Sequence, residues 1–189
     1  MSDADIVKWD ARYRDSEVCG QILPDPELEA WRSLIPVGGV ALDLACGLGK
    51  NTLYLAQQGC TVSAIDGSGE GLSKLQSAAR NLGLEQRVRC LQADLDSYAL
   101  PEAAFDLVLV VRYLNPALFT AIVGALKPGG LLIYKTFNRN ILQQRPGFNP
   151  DFTIESGALL QAFSGLEVVT DRPLEGSVEY AFMIGRKPA

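Results

Sequence analysis

The sequence predicts a three-layer αβα sandwich on a seven-stranded sheet, parallel except for one antiparallel C-terminal strand. Three observations carry this reading. From residue 40 onward, short apolar runs alternate with helix-length stretches, the rhythm of a parallel sheet with right-handed crossovers. One run, Phe105–Val111 (FDLVLVV), is apolar without alternation, as a strand buried on both faces is. The last two runs, Leu166–Thr170 and Ser177–Ile184, are separated only by the turn-rich DRPLEG. That spacer is too short for a crossover helix, so the pair reads as an antiparallel hairpin.

Taken in order, the leader at 1–36 reads as a helix over Asp5–Tyr13, a turn at LPDP and a helix over Pro26–Leu34. The core at 37–189 begins with a strand at Val40–Leu44 and a helix at Lys50–Gln57. A strand at Thr61–Ile65, a helix at Gly69–Asn81 and a strand at Arg87–Leu91 follow. After Phe105–Val111 come a helix over Pro116–Leu126 closed by the turn KPGG, a strand at Leu131–Phe137 and a helix near Ile154–Phe163. In the final run Val178, Tyr180, Phe182 and Ile184 alternate onto one face. A length of 189 residues fits one domain.

Composition removes several function classes. The chain has no histidine, which takes away the usual zinc ligand, the Ser-His-Asp triad and the commonest general base; no metal site is expected. Seventeen basic against 22 acidic residues argue against a phosphate-tracking surface, hence no nucleic-acid partner, and against a polybasic membrane anchor. Cys19, Cys46, Cys60 and Cys90 form no C-x-x-C pair and read as separate thiols of a cytoplasmic protein. The charged N-terminus lacks the apolar run of a signal peptide, and no stretch reaches transmembrane length.

The first strand runs into ALDLACGLGKNTLYLA, where Gly47 and Gly49 permit a tight turn and close backbone approach to a ligand. The following helix presents free N–H groups to an anion. Asp66 ends the second strand in AID, where a carboxylate can accept ribose hydroxyls, and Asp94 follows the third in ADL. Each aspartate alone reads equally well as a turn or cap; in series on successive strand ends they point to a nucleoside ligand. The glycines do not complete G-x-G-x-x-G, because Thr52 stands at the third position, and no G-K-[ST] occurs. Asp43, just before the loop, would repel a pyrophosphate and suits a ligand bearing an ammonium group. The loop therefore favours S-adenosylmethionine over NAD.

DLACGLGKNTLYLA resembles the first motif of class I S-adenosylmethionine-dependent methyltransferases. AIDGS resembles their second-strand acidic motif, QADLD their adenine-side motif, FDLVLVVRYLNP their fourth strand, and LKPGGLLIYKTF their K-P-G-G turn and fifth strand. The likeness covers residues 38–184 and the leader's W-D-x-R-Y, and is nearest to small bacterial enzymes of the tellurite-resistance and thiopurine-methyltransferase-like type. It implies a Rossmann-like fold with S-adenosylmethionine as cofactor and S-adenosylhomocysteine as product. It also implies roles: Ala45, Cys46, Gly47 and Asn51 at the methionine end, with Asp43 near its ammonium. Asp66 would take the ribose, Gly67 the adenine edge, Asp94 and Leu95 the adenine amine and face. Val111 or Arg112 would lie beside the methyl donor, and Trp9 and Tyr13, one helical turn apart, would cap the cofactor. Ala45 stands where the family has its first glycine, a methyl tolerated if φ stays negative.

Methyl transfer from such a donor needs chiefly in-line placement of a nucleophile, an effect worth up to roughly 7–11 kcal/mol. Where the acceptor must lose a proton, Asp151, Tyr113 and Tyr134 are the candidate bases. Arg112 and Tyr113 are the candidate acceptor-positioning residues. The long polar loop TFNRNILQQRPGFNPDF holds Arg139, Arg145 and Asp151, and arginines in an acidic chain suit a small anionic acceptor. A monomer or homodimer acting on a small molecule, without membrane, is the expectation. The alternatives are a non-catalytic S-adenosylmethionine- or metabolite-binding module and, behind it, an NAD(P)-dependent oxidoreductase.

Overall fold

Leu53, Ala64, Leu72, Leu75 and Ala79 form the buried cluster around which the first half of the chain is built. The computed structural model describes residues 3–16, 22–176 and 178–189. Its chain divides into two units, Met1–Ala99 and Leu100–Ala189.

In the first unit, helices α1 (Asp3–Arg14) and α2 (Pro26–Ala30) precede strand β1 (Val40–Leu44). Asp25 accepts from the amide of Glu27 and Pro26 opens α2, so LPDP is a capped helix start rather than only a turn. The helix anticipated through Leu34 breaks at Trp31 into a 3-10 turn, Arg32–Leu34. Helix α3 (Lys50–Gln57), β2 (Thr61–Asp66), α4 (Gly69–Asn81) and β3 (Val88–Gln92) follow within a residue or two of the sequence reading. The strands lie parallel in the order β3-β2-β1. Leu72, Leu75 and Ala79 recur on one face of α4 and turn it onto the sheet, while Ser68 caps it by accepting from Gly71 N at 3.1 Å. Full burial of Leu75 alone is worth about 1.5–3 kcal/mol. The cluster thereby fixes α4, and with it the loop that joins α4 to β2.

In the second unit β4 (Phe105–Val111) is buried on both faces, as its unbroken apolar run requires. A 3-10 turn (Pro116–Leu118), α5 (Phe119–Ala125) and β5 (Leu126–Asn138) come next. The helix ends at Ala125, just before KPGG as anticipated, but KPGG itself is not a separate turn. The strand starts at Leu126 and runs through it with a register shift against β4, made possible by Gly129 at φ +74°. Next come α6 (Ile141–Gln144), a 3-10 turn (Pro150–Phe152), a two-residue strand β6 (Thr153–Ile154) and α7 (Ala158–Ala162). The helix anticipated from Ile154 starts later because Thr153–Ile154 pairs with Phe137–Asn138 and Gly157 enters at φ +78°.

Strands β7 (Glu167–Thr170) and β8 (Tyr180–Arg186) form the expected antiparallel hairpin, and β8 also runs antiparallel to β5 in the order β4-β5-β8-β7. The final strand begins at Tyr180, leaving Val178 exposed before it. Phe182, Met183 and Ile184 are all buried, so β8 is covered on both faces rather than one. Ser177 lies outside the described residues, as does Cys19; Cys46, Cys60 and Cys90 are free thiols. The fold is the αβα class: a mixed open sheet with helices around it, parallel except for β8, with β6 as a short addition to the seven anticipated strands.

Candidate active site

Between β1 and α3 the chain takes the left-handed conformation three times in five residues, at Ala45 (φ +59°), Gly47 (φ +55°) and Gly49 (φ +72°). The sharp turn hangs on β2: Cys46 N donates to Ile65 O at 3.1 Å, and Gly47 N donates to Asp66 Oδ2 at 2.7 Å. Asp66 Oδ1 accepts from Ser68 N at 2.8 Å, so one carboxylate ties the glycine loop to the start of α4. Beneath it, Thr52 Oγ1 donates to Asp43 Oδ2 at 2.6 Å.

Asp43 and Asp66 are only 2% and 5% exposed, and the bonds they accept come from neutral donors. Burial pushes the Asp43 carboxyl up to about 7, the Thr52 hydroxyl opposing it and the nearby Asp66 charge adding to it. Asp66 is likewise raised by burial, against the amides of Ser68, Gly47 and Gly67. Burial, then the charges of Asp43 and Asp66, pushes the Cys46 thiol well up. Two desolvated carboxylates lined by neutral donors favour a positively charged group beside them.

The condition under which the Ala45 methyl is tolerated, a negative φ, is not met: the residue sits left-handed, which costs an L residue about 1–2 kcal/mol. Ala45→Gly relieves that strain at an unfolded-state cost of about 0.4–1 kcal/mol. The variant is expected to melt about 1–4 °C higher in calorimetry. A lower melting temperature would show that the methyl makes compensating contacts.

Helix α1 lies on this loop. The rings of Trp9 and Tyr13 stack at 5.5 Å and 27°, with the Arg12 guanidinium 5.1 Å above Trp9. Tyr13 meets Gly47 so closely that a Cβ there would stand 2.7 Å from its hydroxyl oxygen. A Cβ on Gly71 would meet Gly47 O at 2.9 Å and the Tyr13 ring at 3.0 Å. Asp10 caps α4, accepting from Ser68 Oγ and from Glu70 N, and Lys74 Nζ donates to the carbonyls of Arg14 and Ser16. Burial, then the charge of Asp66, pushes the Tyr13 hydroxyl far up, so it stays protonated.

Of the anticipated cofactor residues, the first unit brings Tyr13, Asp43, Ala45, Cys46, Gly47 and Asp66 together, with Trp9 stacked on Tyr13 and Gly67 beside Asp66. Asn51 is engaged elsewhere: its Oδ1 accepts from Asp25 N at 2.8 Å and anchors the leader's turn. Asp94 is exposed and caps its own turn through Asp96 N and Ser97 Oγ, while Leu95 is buried. Thr52, read in the sequence only as a missing glycine, proves to be the partner of Asp43.

In the second unit Val111 ends β4 and Arg112 follows it at φ +60°, its amide donating to Lys135 O at 2.7 Å. Tyr134 is fully buried and donates its hydroxyl to Tyr113 O at 3.1 Å. Burial pushes its hydroxyl far up, so Tyr134 is no base. Arg139 is ion-paired with Glu155 at 2.9 Å at the surface, while Arg145 and Asp151 are exposed. Arg139 is thus no unengaged cation of the loop. The sequence reading passed over Lys135, 3% exposed and 4.2 Å from the Tyr180 ring, and the packed rings of Phe137, Phe148 and Tyr180. The signal was one charge inside the apolar run LLIYKTF.

Residues 41–130 match the family model described as a methyltransferase domain. An uncharacterised methyltransferase of Synechocystis is 35% identical over 112 residues, 56% of this chain and 50% of that protein. A ubiquinone biosynthesis O-methyltransferase of Xylella fastidiosa is 35% identical over 116 residues, 57% of this chain and 46% of that protein. The chain thus spans about half the length of these curated relatives. Among solved structures, TehB of Haemophilus influenzae superposes with a TM-score of 0.73 at 17% identity, over 96% of this chain and 66% of that one.

Proposed function

We propose that this chain, a class I S-adenosylmethionine-dependent methyltransferase, methylates a small acceptor that reaches the site anionic or readily deprotonated. The observation that carries the reading is the pair of buried carboxylates, Asp43 and Asp66, tied to a glycine loop at adjoining strand ends. The cofactor fits these residues. An ammonium group answers the desolvated Asp43 and ribose hydroxyls answer Asp66, whose oxygens keep further lone pairs, while the space beside Gly47 is taken by the Tyr13 hydroxyl. When bound, S-adenosylmethionine supplies a methyl group activated by its sulfonium.

The chain's own part is positioning. The Asp43–Thr52 and Asp66–Gly47 bonds fix the two carboxylates that would hold the cofactor, and Trp9 and Tyr13 would shield it from water. In the second unit, Val111, Arg112 and Tyr113 are the residues this reading would give to the acceptor. With no histidine in the chain and Tyr134 locked as a donor, an acceptor already deprotonated needs no base. The partial likeness to an O-methyltransferase supports oxygen as the accepting atom. The same reading takes the chain as one catalytic domain, cytoplasmic, monomeric or homodimeric, with residues 1–36 as a cover and no nucleic-acid substrate. Among the described residues no helix is long and apolar enough to cross a membrane.

S-adenosylmethionine at about 100 times its dissociation constant is expected to add about 2.7 kcal/mol, a rise of roughly 5–10 °C in melting temperature. NAD and NADP should give none. A response to NAD without one to S-adenosylmethionine would end the reading. A screen of phenols, thiols and carboxylates with labelled methyl then identifies the acceptor.

A further inference from the structure

Thr52 and Asp43 are nine residues apart, on opposite sides of the glycine loop, yet each is buried (0% and 2% exposed) and their oxygens lie 2.6 Å apart. Thr52 belongs to the first turn of α3, whose start is fixed by Gly49 and by the bond from Leu53 N to Gly49 O. Its hydroxyl therefore reaches back under the loop to the end of β1. A buried threonine could satisfy its hydroxyl on its own helix; this one donates to a carboxylate. Such a bond is charge-assisted, and it favours the ionised carboxyl.

We propose that Thr52 is a positioning residue of the cofactor site: it fixes Asp43 and keeps its carboxylate charged, so that the carboxylate can receive the ammonium group of S-adenosylmethionine. The inference rests on the methyltransferase reading and adds to it the residue that tunes ammonium recognition.

A pH dependence follows. Burial lifts Asp43 to about 7, so below neutrality the free protein holds a proton that ammonium binding must expel. Affinity should rise with pH up to about 7 and decline again where the ligand's own amino group loses its proton, in wild type and variants alike. The titratable groups facing Asp43 are Asp66 at the end of β2 and Cys46 in the loop. Cys46 is pushed so far up that it stays a neutral thiol, whereas Asp66 answers to the ribose. A nucleoside with the same ribose and no ammonium separates the two carboxylates.

The experiment is calorimetric titration of the full chain with S-adenosylmethionine and with 5′-methylthioadenosine, from about pH 5.5 to about 9. Wild type is compared with Thr52→Val, Thr52→Ser and Asp43→Asn. Thr52→Val is expected to move the upper end of the rise to higher pH, and a displacement of one unit weakens S-adenosylmethionine roughly fivefold near pH 7 and roughly tenfold below about pH 6. Near pH 9 the two proteins should converge. Methylthioadenosine affinity should stay within about twofold throughout, Thr52→Ser should restore the wild-type curve, and Asp43→Asn should flatten it. Equal losses for both ligands, or a loss that does not vary with pH, would overturn the proposal and leave Thr52 a structural residue. So would a wild-type slope in Asp43→Asn, which tests the proposal even if Thr52→Val fails to fold. A wild-type protein that binds methylthioadenosine but not S-adenosylmethionine also overturns it. A wild type that binds neither overturns the methyltransferase reading, and this inference with it.

Discussion

Gly49→Ala is expected to lower the melting temperature by roughly 5–15 °C, the largest loss of any single methyl addition in the glycine loop. Two effects add. The backbone stands at φ +72°, where an L side chain costs about 1–2 kcal/mol. The new methyl would also stand 2.3 Å from Leu75 Cδ1 and 2.7 Å from its Cγ, within the side chain at the centre of the first unit's core. Overpacking of that kind costs about 1–3 kcal/mol. Because Cγ itself is too close, rotating the end of the leucine does not relieve the clash. Thermal unfolding of Gly49→Ala beside the double variant Gly49→Ala, Leu75→Ala separates the terms by a coupling cycle. The two substitutions should be less than additive; strict additivity would mean the clash is absent.

Asp66→Ala is expected to abolish the cofactor-induced rise in melting temperature, while Asp171→Ala, an exposed turn residue, keeps it. A carboxylate accepting both ribose hydroxyls makes two charge-assisted bonds of about 1.5–3 kcal/mol each, so affinity should fall at least a hundredfold. The substitution also orphans the buried amides of Gly47 and Ser68, at about 1–3 kcal/mol apiece, partly offset by removing a desolvated charge. Ligand-free stability should therefore drop as well. Calorimetry of both variants checks this, and equal affinity in the two would refute the ribose role of Asp66.

The sequence made legible those elements that local chemistry fixes. Ser68 before a helix with leucines at 72 and 75 places α4 to the residue, and the unbroken FDLVLVV places β4. At KPGG a proline and two glycines signal a turn, and the helix does end before it, but β5 already starts at Leu126 and carries the four residues as an irregularity between the Phe105–Leu126 and Leu107–Leu131 pairs. β6 has two residues and exists only through its partner, so no periodicity could announce it. In the site, the acidic residues at strand ends could be read from spacing. Their partners could not: Thr52 looked like a defect in a glycine pattern, and nothing in the loop announced Glu155 as the partner of Arg139. Glu155 lies sixteen positions from Arg139, beyond a turn whose path the sequence does not specify.

Tyr13, Gly47 and Gly71 come from three separate stretches of chain and converge on one spot with no room to spare. Over generations such positions cannot drift one at a time. A side chain arriving at either glycine would be viable only in a lineage that had already exchanged the tyrosine for something smaller. Reintroducing the ring would then be barred until the glycine returned. Lineages that keep all three share a leader wedged against the cofactor loop. A lineage that lost one would be free to move the leader off the loop.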